Sequence, residues 1–102
     1  MSQDLTRDAF AEQLNTKFKI YFTPEKAAEV ELTEVSQLRT YPRQEIFALV
    51  FLFPPDLPVE QRIYRMEHDA LGALEIFLVP IEKTADGAVR YEAVFNRLIA
   101  SE

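Results

Sequence analysis

A chain of 102 residues, 48% apolar and 27% charged, is long enough for one core and too short for a second, and its balance excludes disorder. The 17 acidic residues outnumber 11 basic ones for a formal charge of −6. The basic residues are scattered along the chain, among them Lys17, Lys19, Arg39, Arg43, Arg62, Arg65, Arg90 and Arg97, which opposes a nucleic-acid partner. No cysteine is present, so disulfides, thiolate chemistry and cysteine-based zinc sites are excluded.

In chain order, Thr6 caps a short helix expected over Arg7 to Asn15, with Asp8 near its positive end and Phe10 and Leu14 four apart on one face. The pattern then alternates: Phe18, Ile20 and Phe22 against Lys17, Lys19 and Tyr21 read as a half-buried strand ended by Pro24. Glu25 to Glu29 reads as a turn or helical excursion. A second strand follows with Val30 and Leu32 on one face, and Val35 breaks its phase before Leu38, which points to a bulge or strong twist. Tyr41-Pro42-Arg43-Gln44 is a turn.

Ile46 to Phe53 is apolar on both faces, and its β-branched and aromatic content makes it a central strand, ended by Pro54, Pro55 and Pro58. Arg62 to His68 alternates, with Tyr64, Met66 and His68 opposite Ile63, Arg65 and Glu67. Asp69-Ala70-Leu71-Gly72 turns the chain into Ala73 to Ile81, giving an antiparallel hairpin. That second arm is also double-faced: Leu74, Ile76 and Leu78 share one side, and Phe77, Val79 and Ile81 share the other with Glu75. Asp86-Gly87 marks another hairpin, and Val89 to Asn96 is the last strand, with Val89, Tyr91, Ala93 and Phe95 on one face. The tail from Arg97 to Glu102 is expected to fray or turn. The fold class is therefore α+β, mainly β: one N-terminal helix packed on a curved six-stranded antiparallel sheet, a small barrel or roll, forming a single domain over residues 1–102.

Residues Met1 to Phe10 hold acids and no apolar run, unlike a signal peptide, and Ile46 to Pro55 is far short of a membrane-spanning helix. The expectation is a cytoplasmic protein with no membrane partner.

His68, the sole histidine, is the first candidate for chemistry. Glu67 and Asp69 flank it, but strand neighbours point to opposite faces, so Glu67 is not expected to orient its ring. Asp69 is better placed to accept turn amides, and His68, Asp69 and Gly72 read as a structural turn before a catalytic one. One histidine cannot build a histidine-rich metal site, and Glu25, Glu29, Glu31 and Glu34 lack the calcium-loop pattern and read as a solvated face. Only Gly72 and Gly87 are available, so no glycine-rich loop cradles a phosphate. No cofactor and no catalytic residue are expected.

The run from Ile63 through Tyr64-Arg65-Met66-Glu67-His68 to Gly72, then Phe77-Leu78-Val79-Pro80 and Tyr91-Glu92-Ala93-Val94-Phe95-Asn96, resembles an uncharacterised family of small bacterial proteins, a domain of unknown function. That family carries a Y-R-x-E-H-x-x-L-G turn, an F-L-V-P run and a terminal Y-E-A-x-F-N element. Asp69 replaces its usual turn proline, which bears on turn rigidity and not on chemistry. The resemblance supplies no activity, cofactor or catalytic residue; some members are encoded near phage-tail-like proteins, which permits an assembly role.

Phe47, Phe51, Phe77 and Val79 are the candidates for an interaction surface or for core. The two double-faced strands must cover their second faces with the helix, a loop or another chain, so the leading expectation is a noncatalytic protein-interaction or assembly module, with a homo-oligomer or protein partner. The alternatives are a small apolar ligand held in a barrel or cleft, and an enzyme using His68.

Overall fold

In the computed structural model, whose described residues are 6–98, the chain opens on helix α1 (Arg7–Ala11). Thr6 caps it, its Oγ1 accepting the Ala9 N–H at 3.1 Å. The helix is shorter than the expected Arg7 to Asn15. Past Ala11 the bonding tightens, with Gln13 N–H to Phe10 O and Leu14 N–H to Ala11 O, and Asn15 reverses the chain at φ 68°. The face shared by Phe10 and Leu14 is therefore not continued: Phe10 is fully buried and Leu14 is 41% exposed.

Seven strands follow: β1 (Lys17–Thr23), β2 (Lys26–Val35), β3 (Arg39–Tyr41), β4 (Gln44–Phe53), β5 (Arg62–His68), β6 (Gly72–Lys83) and β7 (Val89–Leu98). Six of them close into an antiparallel barrel in the order β2-β1-β5-β6-β7-β4, with β4 returning to β2; β3 is a short addition along β4. Two local expectations change. Lys26 to Glu29 is strand, not a helical excursion, because the two-residue Pro24-Glu25 turn brings Lys26 opposite Thr23, whose hydroxyl accepts both the Glu25 and Lys26 amides. Arg97 and Leu98 continue β7 opposite Glu45 and Gln44 instead of fraying; residues 99–102 lie outside the described residues. The phase break expected near Val35 is a bulge at Thr33, where the β2–β4 register shifts between Leu32 and Glu34.

Inward residues follow the period-two pattern: Phe18 and Ile20, Val30 and Leu32, Leu49 and Phe51, Tyr64 and Met66, Leu74, Ile76 and Leu78, Tyr91 and Ala93 form one buried cluster. Large side chains fill the lumen, with Phe53 stacked on Tyr91 at 3.9 Å between ring centroids and both rings beside Tyr64. Each end of the barrel is plugged differently. At one end Phe10 packs on Phe47 and Phe95, whose rings lie parallel at 4.9 Å. At the other, the proline-rich segment 54–61 is tied down by two buried phenols. Tyr64 donates to Glu60 O at 2.6 Å, and the Glu60 N–H donates to the Tyr91 hydroxyl at 3.0 Å.

Two predictions test the plugs. Phe10→Ala should lower unfolding free energy by about 3–5 kcal/mol in urea denaturation, whereas Leu14→Ala should cost under about 0.5 kcal/mol. Burial, and then the neighbouring Tyr91 phenol, push the Tyr64 hydroxyl well above its ordinary 10.0. Above about pH 10 the unfolded chain then releases a proton that the folded chain keeps, so stability falls as pH rises. Tyr64→Phe should cost about 1 kcal/mol at neutral pH and remove that tyrosine's share of the alkaline slope, read as urea midpoints against pH.

Candidate functional site

The β5–β6 hairpin carries both candidate surfaces, one at its turn and one on its outer face. His68 ends β5 opposite Gly72, so the connection is the three residues Asp69 to Leu71. Such a loop closes on a left-handed residue, and Gly72 sits at φ 78° where a side chain would be strained. Leu71 folds beneath the turn and is buried. The turn amide of Ala70 donates to His68 Nδ1 at 3.0 Å, the role expected of Asp69.

With Nδ1 accepting, the neutral ring carries its proton on Nε2, which lies 2.9 Å from Thr16 Oγ1. The Thr16 hydroxyl donates in turn to Gln13 O at 2.7 Å. The chain of donors thus runs from imidazole to hydroxyl to carbonyl, opposite to the direction in which a general base would activate Thr16. The ring also packs on Phe18 at 4.3 Å between centroids. Glu67 points the other way, as strand alternation requires, and accepts from the Tyr21 hydroxyl at 2.9 Å. Both histidine nitrogens are therefore engaged, neither by a carboxylate.

Beside this turn lies a cleft of about 480 Å³ lined by Gln13, Thr16, Lys17, Lys19, Glu29 and the Glu67–Ala70 turn. A second cleft of about 420 Å³ shares Lys19, Glu67, His68 and Asp69 and extends to Gly72 and Ala73. Opposite charges alternate along the walls, so the clefts suit small polar molecules. Thr16 and Gln13 escape sequence reasoning because they lie more than fifty residues from His68, Gln13 near the end of the expected helix and Thr16 just past it. Among the described residues no group of three or more His, Asp or Glu side chains is placed to hold a metal ion, and no helix is long and apolar enough to cross a membrane.

The four candidate surface residues separate. Phe47 and Phe51 point inward and are buried core; Phe77 is 50% exposed and Val79 half-buried. The outer face of β4 is covered in part by the chain itself, with Val50 buried and Ile46, Ala48 and Leu52 half-buried. β4 lies between β2 and β7, and Arg90 of β7 pairs with Glu34 of β2 and with Glu82 of β6. The Arg90–Glu34 pair therefore crosses β4 over Val50 and Leu52, leaving Val50 only 7% exposed. Among the described residues no such strap covers β5–β6, where Ile63, directly opposite Phe77, is 64% exposed. Val94, two residues beyond the Val79–Glu92 pair on β7, continues the apolar row. Ile63 and Val94 carry a readable signal, since both occupy the outward phase of strands whose inward phase is apolar.

Residues 5–95 match a family described as a domain of unknown function, DUF6916. The chain belongs to the DUF6916 family. No curated protein and no solved structure matches it.

Nitrogen-detected NMR of the imidazole should report the Nε2–H tautomer for His68 at neutral pH. His68→Ala, which removes the acceptor of the Ala70 amide and the ring donor to Thr16 Oγ1, should cost about 0.5–1.5 kcal/mol in chemical denaturation.

Proposed function

We propose that the chain is a noncatalytic protein-interaction module that docks through the outer face of β5, β6 and β7. The observation that carries this reading is the contrast between the two double-faced strands. Arg90 and Glu34 bridge across β4, whereas Phe77 and Ile63 form a cross-strand apolar pair left in contact with solvent. Apolar pairs of this kind gain the most when a partner excludes water from them, and aromatic side chains are common anchors of such contacts. The rim supplies both charge signs, with Arg65 opposite Glu75 on β5–β6 and Glu92 on β7, which favours a specific partner over nonspecific adhesion.

A small-ligand role is the second reading, and a separate observation favours it: the adjoining clefts beside His68. The lumen itself is occupied by Tyr64, Tyr91, Phe53 and Leu78, so this reading places the ligand outside the barrel.

Capture from the native source separates the two. An Ile63→Lys/Phe77→Lys variant, both changes at exposed positions, should fold normally by circular dichroism and lose the protein partner that the wild-type chain retains. His68→Ala should keep it. An unchanged partner set in the double variant sinks the interaction reading. Native mass spectrometry of freshly purified protein that shows a retained small-molecule mass, abolished by Lys19→Ala, favours the ligand reading.

A further inference from the structure

We infer that the free edge of β7, residues 93–98, pairs with the same edge of a second copy of this chain, antiparallel about a two-fold axis at Asn96. This inference goes beyond the interaction reading by adding a second surface, a strand edge beside the proposed docking face. Its starting point is an opening in the barrel wall. β4 pairs with β7 along its whole length, from Phe53 opposite Val89 to Gln44 opposite Leu98. β6 pairs with β7 only from Lys83 opposite Val89 to Val79 opposite Glu92. Beyond that point β6 continues with β5, as far as Gly72 opposite His68, and no strand among the described residues pairs with the other edge of Ala93 to Leu98.

An open strand edge exposes backbone donors and acceptors in a row, and proteins ordinarily blunt such edges. β3, the other edge strand of this region, is blunted: it is three residues long and fully exposed, with Arg39 at its start. The β7 edge has no proline and a single charge, Arg97, and it displays Val94 and Leu98, the latter 80% exposed.

The sequence of that edge selects a copy of itself. In an antiparallel pair about a two-fold axis normal to the sheet, facing residues must share a face, so the axis passes through a residue. Placing it at Asn96 sets Val94 opposite Leu98 of the partner subunit twice, on the outer face, with the two Asn96 amides facing each other between them. Arg97 then faces an aromatic ring instead of a like charge. Moving the axis to Phe95 puts Val94 against an amide and Glu92 against leucine. The facing edge of β6 is a poorer template: an axis at Glu75 sets two carboxylates together, and one at Ile76 sets Glu75 against phenylalanine. Pairing at Asn96 joins the β3-β4-β7 sheets of two copies into one continuous sheet.

The absence of cysteine makes the test direct. The wild-type chain should form a dimer in sedimentation equilibrium, with Kd of about 1–100 μM for a contact this small. Asn96→Cys should convert to a disulfide-linked dimer under mild oxidation, because facing Cα atoms in an antiparallel pair lie about 4.5–5.5 Å apart. Glu75→Cys on the β6 edge should stay free of disulfide cross-links under the same oxidation. Val94→Lys and Leu98→Lys, singly and together, should raise the dimer Kd about tenfold or more, with thermal melts confirming that each variant folds. A wild-type chain that is monomeric throughout that concentration range overturns the inference, as does Glu75→Cys cross-linking as readily as Asn96→Cys. A monomer that still captures its partner through Ile63 and Phe77 refutes self-pairing and leaves the interaction reading standing. A dimer cross-linked at Asn96 whose other captured partners ignore Ile63 and Phe77 supports self-pairing and refutes the face proposed for docking.

Discussion

Closure of β2 onto β4 is the constraint on which the rest of the molecule depends. β2 gives one edge to β1 over Lys26 to Glu31 and the other to β4 over Glu31 to Val35. A strand can serve two neighbours at such an angle only if it bends, and the bulge at Thr33 provides the bend, with the Thr33 hydroxyl donating to Val50 O at 3.2 Å. Once the sheet is closed, every inward side chain must fit a lumen of fixed width. Aromatic rings fill it, and the two ends need separate plugs because six strands leave two mouths. Helix α1 and the proline-rich segment 54–61 meet that need with different physics: one buries Phe10 among rings, the other hangs a backbone segment from two tyrosine hydroxyls.

The outer wall is where the chain's apolar content exceeds what the barrel can use. A strand apolar on both faces has two resolutions, a cover from its own chain or contact with solvent until something else arrives. β4 takes the first. Arg90, opposite Leu52, reaches across it to Glu34, opposite Val50, while its charged head stays among carboxylates. β6 takes the second, because its outer neighbours on β5 are Ile63 and Arg65, and no long side chain from a further strand spans Phe77. The difference lies in one arginine and the strand order that puts it beside β4.

Much of this was legible in the sequence. Period-two alternation placed the inward residues of β1, β5, β6 and β7, and the double-faced character of Ile46 to Phe53 and of Leu74 to Ile81 was visible from composition alone. The positions of Gly72 and Gly87 located two turns because their backbone conformations suit glycine. What escaped was whatever depends on strand order. Sequence reasoning could not see that Glu34 and Arg90 flank the same strand, and so could not divide Phe47 and Phe51, which are core, from Phe77, which is surface. It also assigned the turn amide to Asp69. A histidine at the end of a strand has its ring two residues from the amide of Ala70, and its Nδ1 reaches that donor while Nε2 reaches Thr16. The aspartate's shorter side chain is left free to line the cleft.

Closed barrels remove sheet edges, and that is their usual protection against unwanted pairing. This barrel closes over most of its wall and opens along one seam, where β6 leaves β7 beyond Val79 and Glu92 and continues with β5, and Leu71 and Leu74 of that hairpin join the core. Burying the hairpin's inner face leaves its outer face apolar and the neighbouring strand edge unpaired on the same side of the molecule. Two features that are each liabilities in an isolated chain therefore lie together on one side of the wall, and the proposed docking would remove both from water at once.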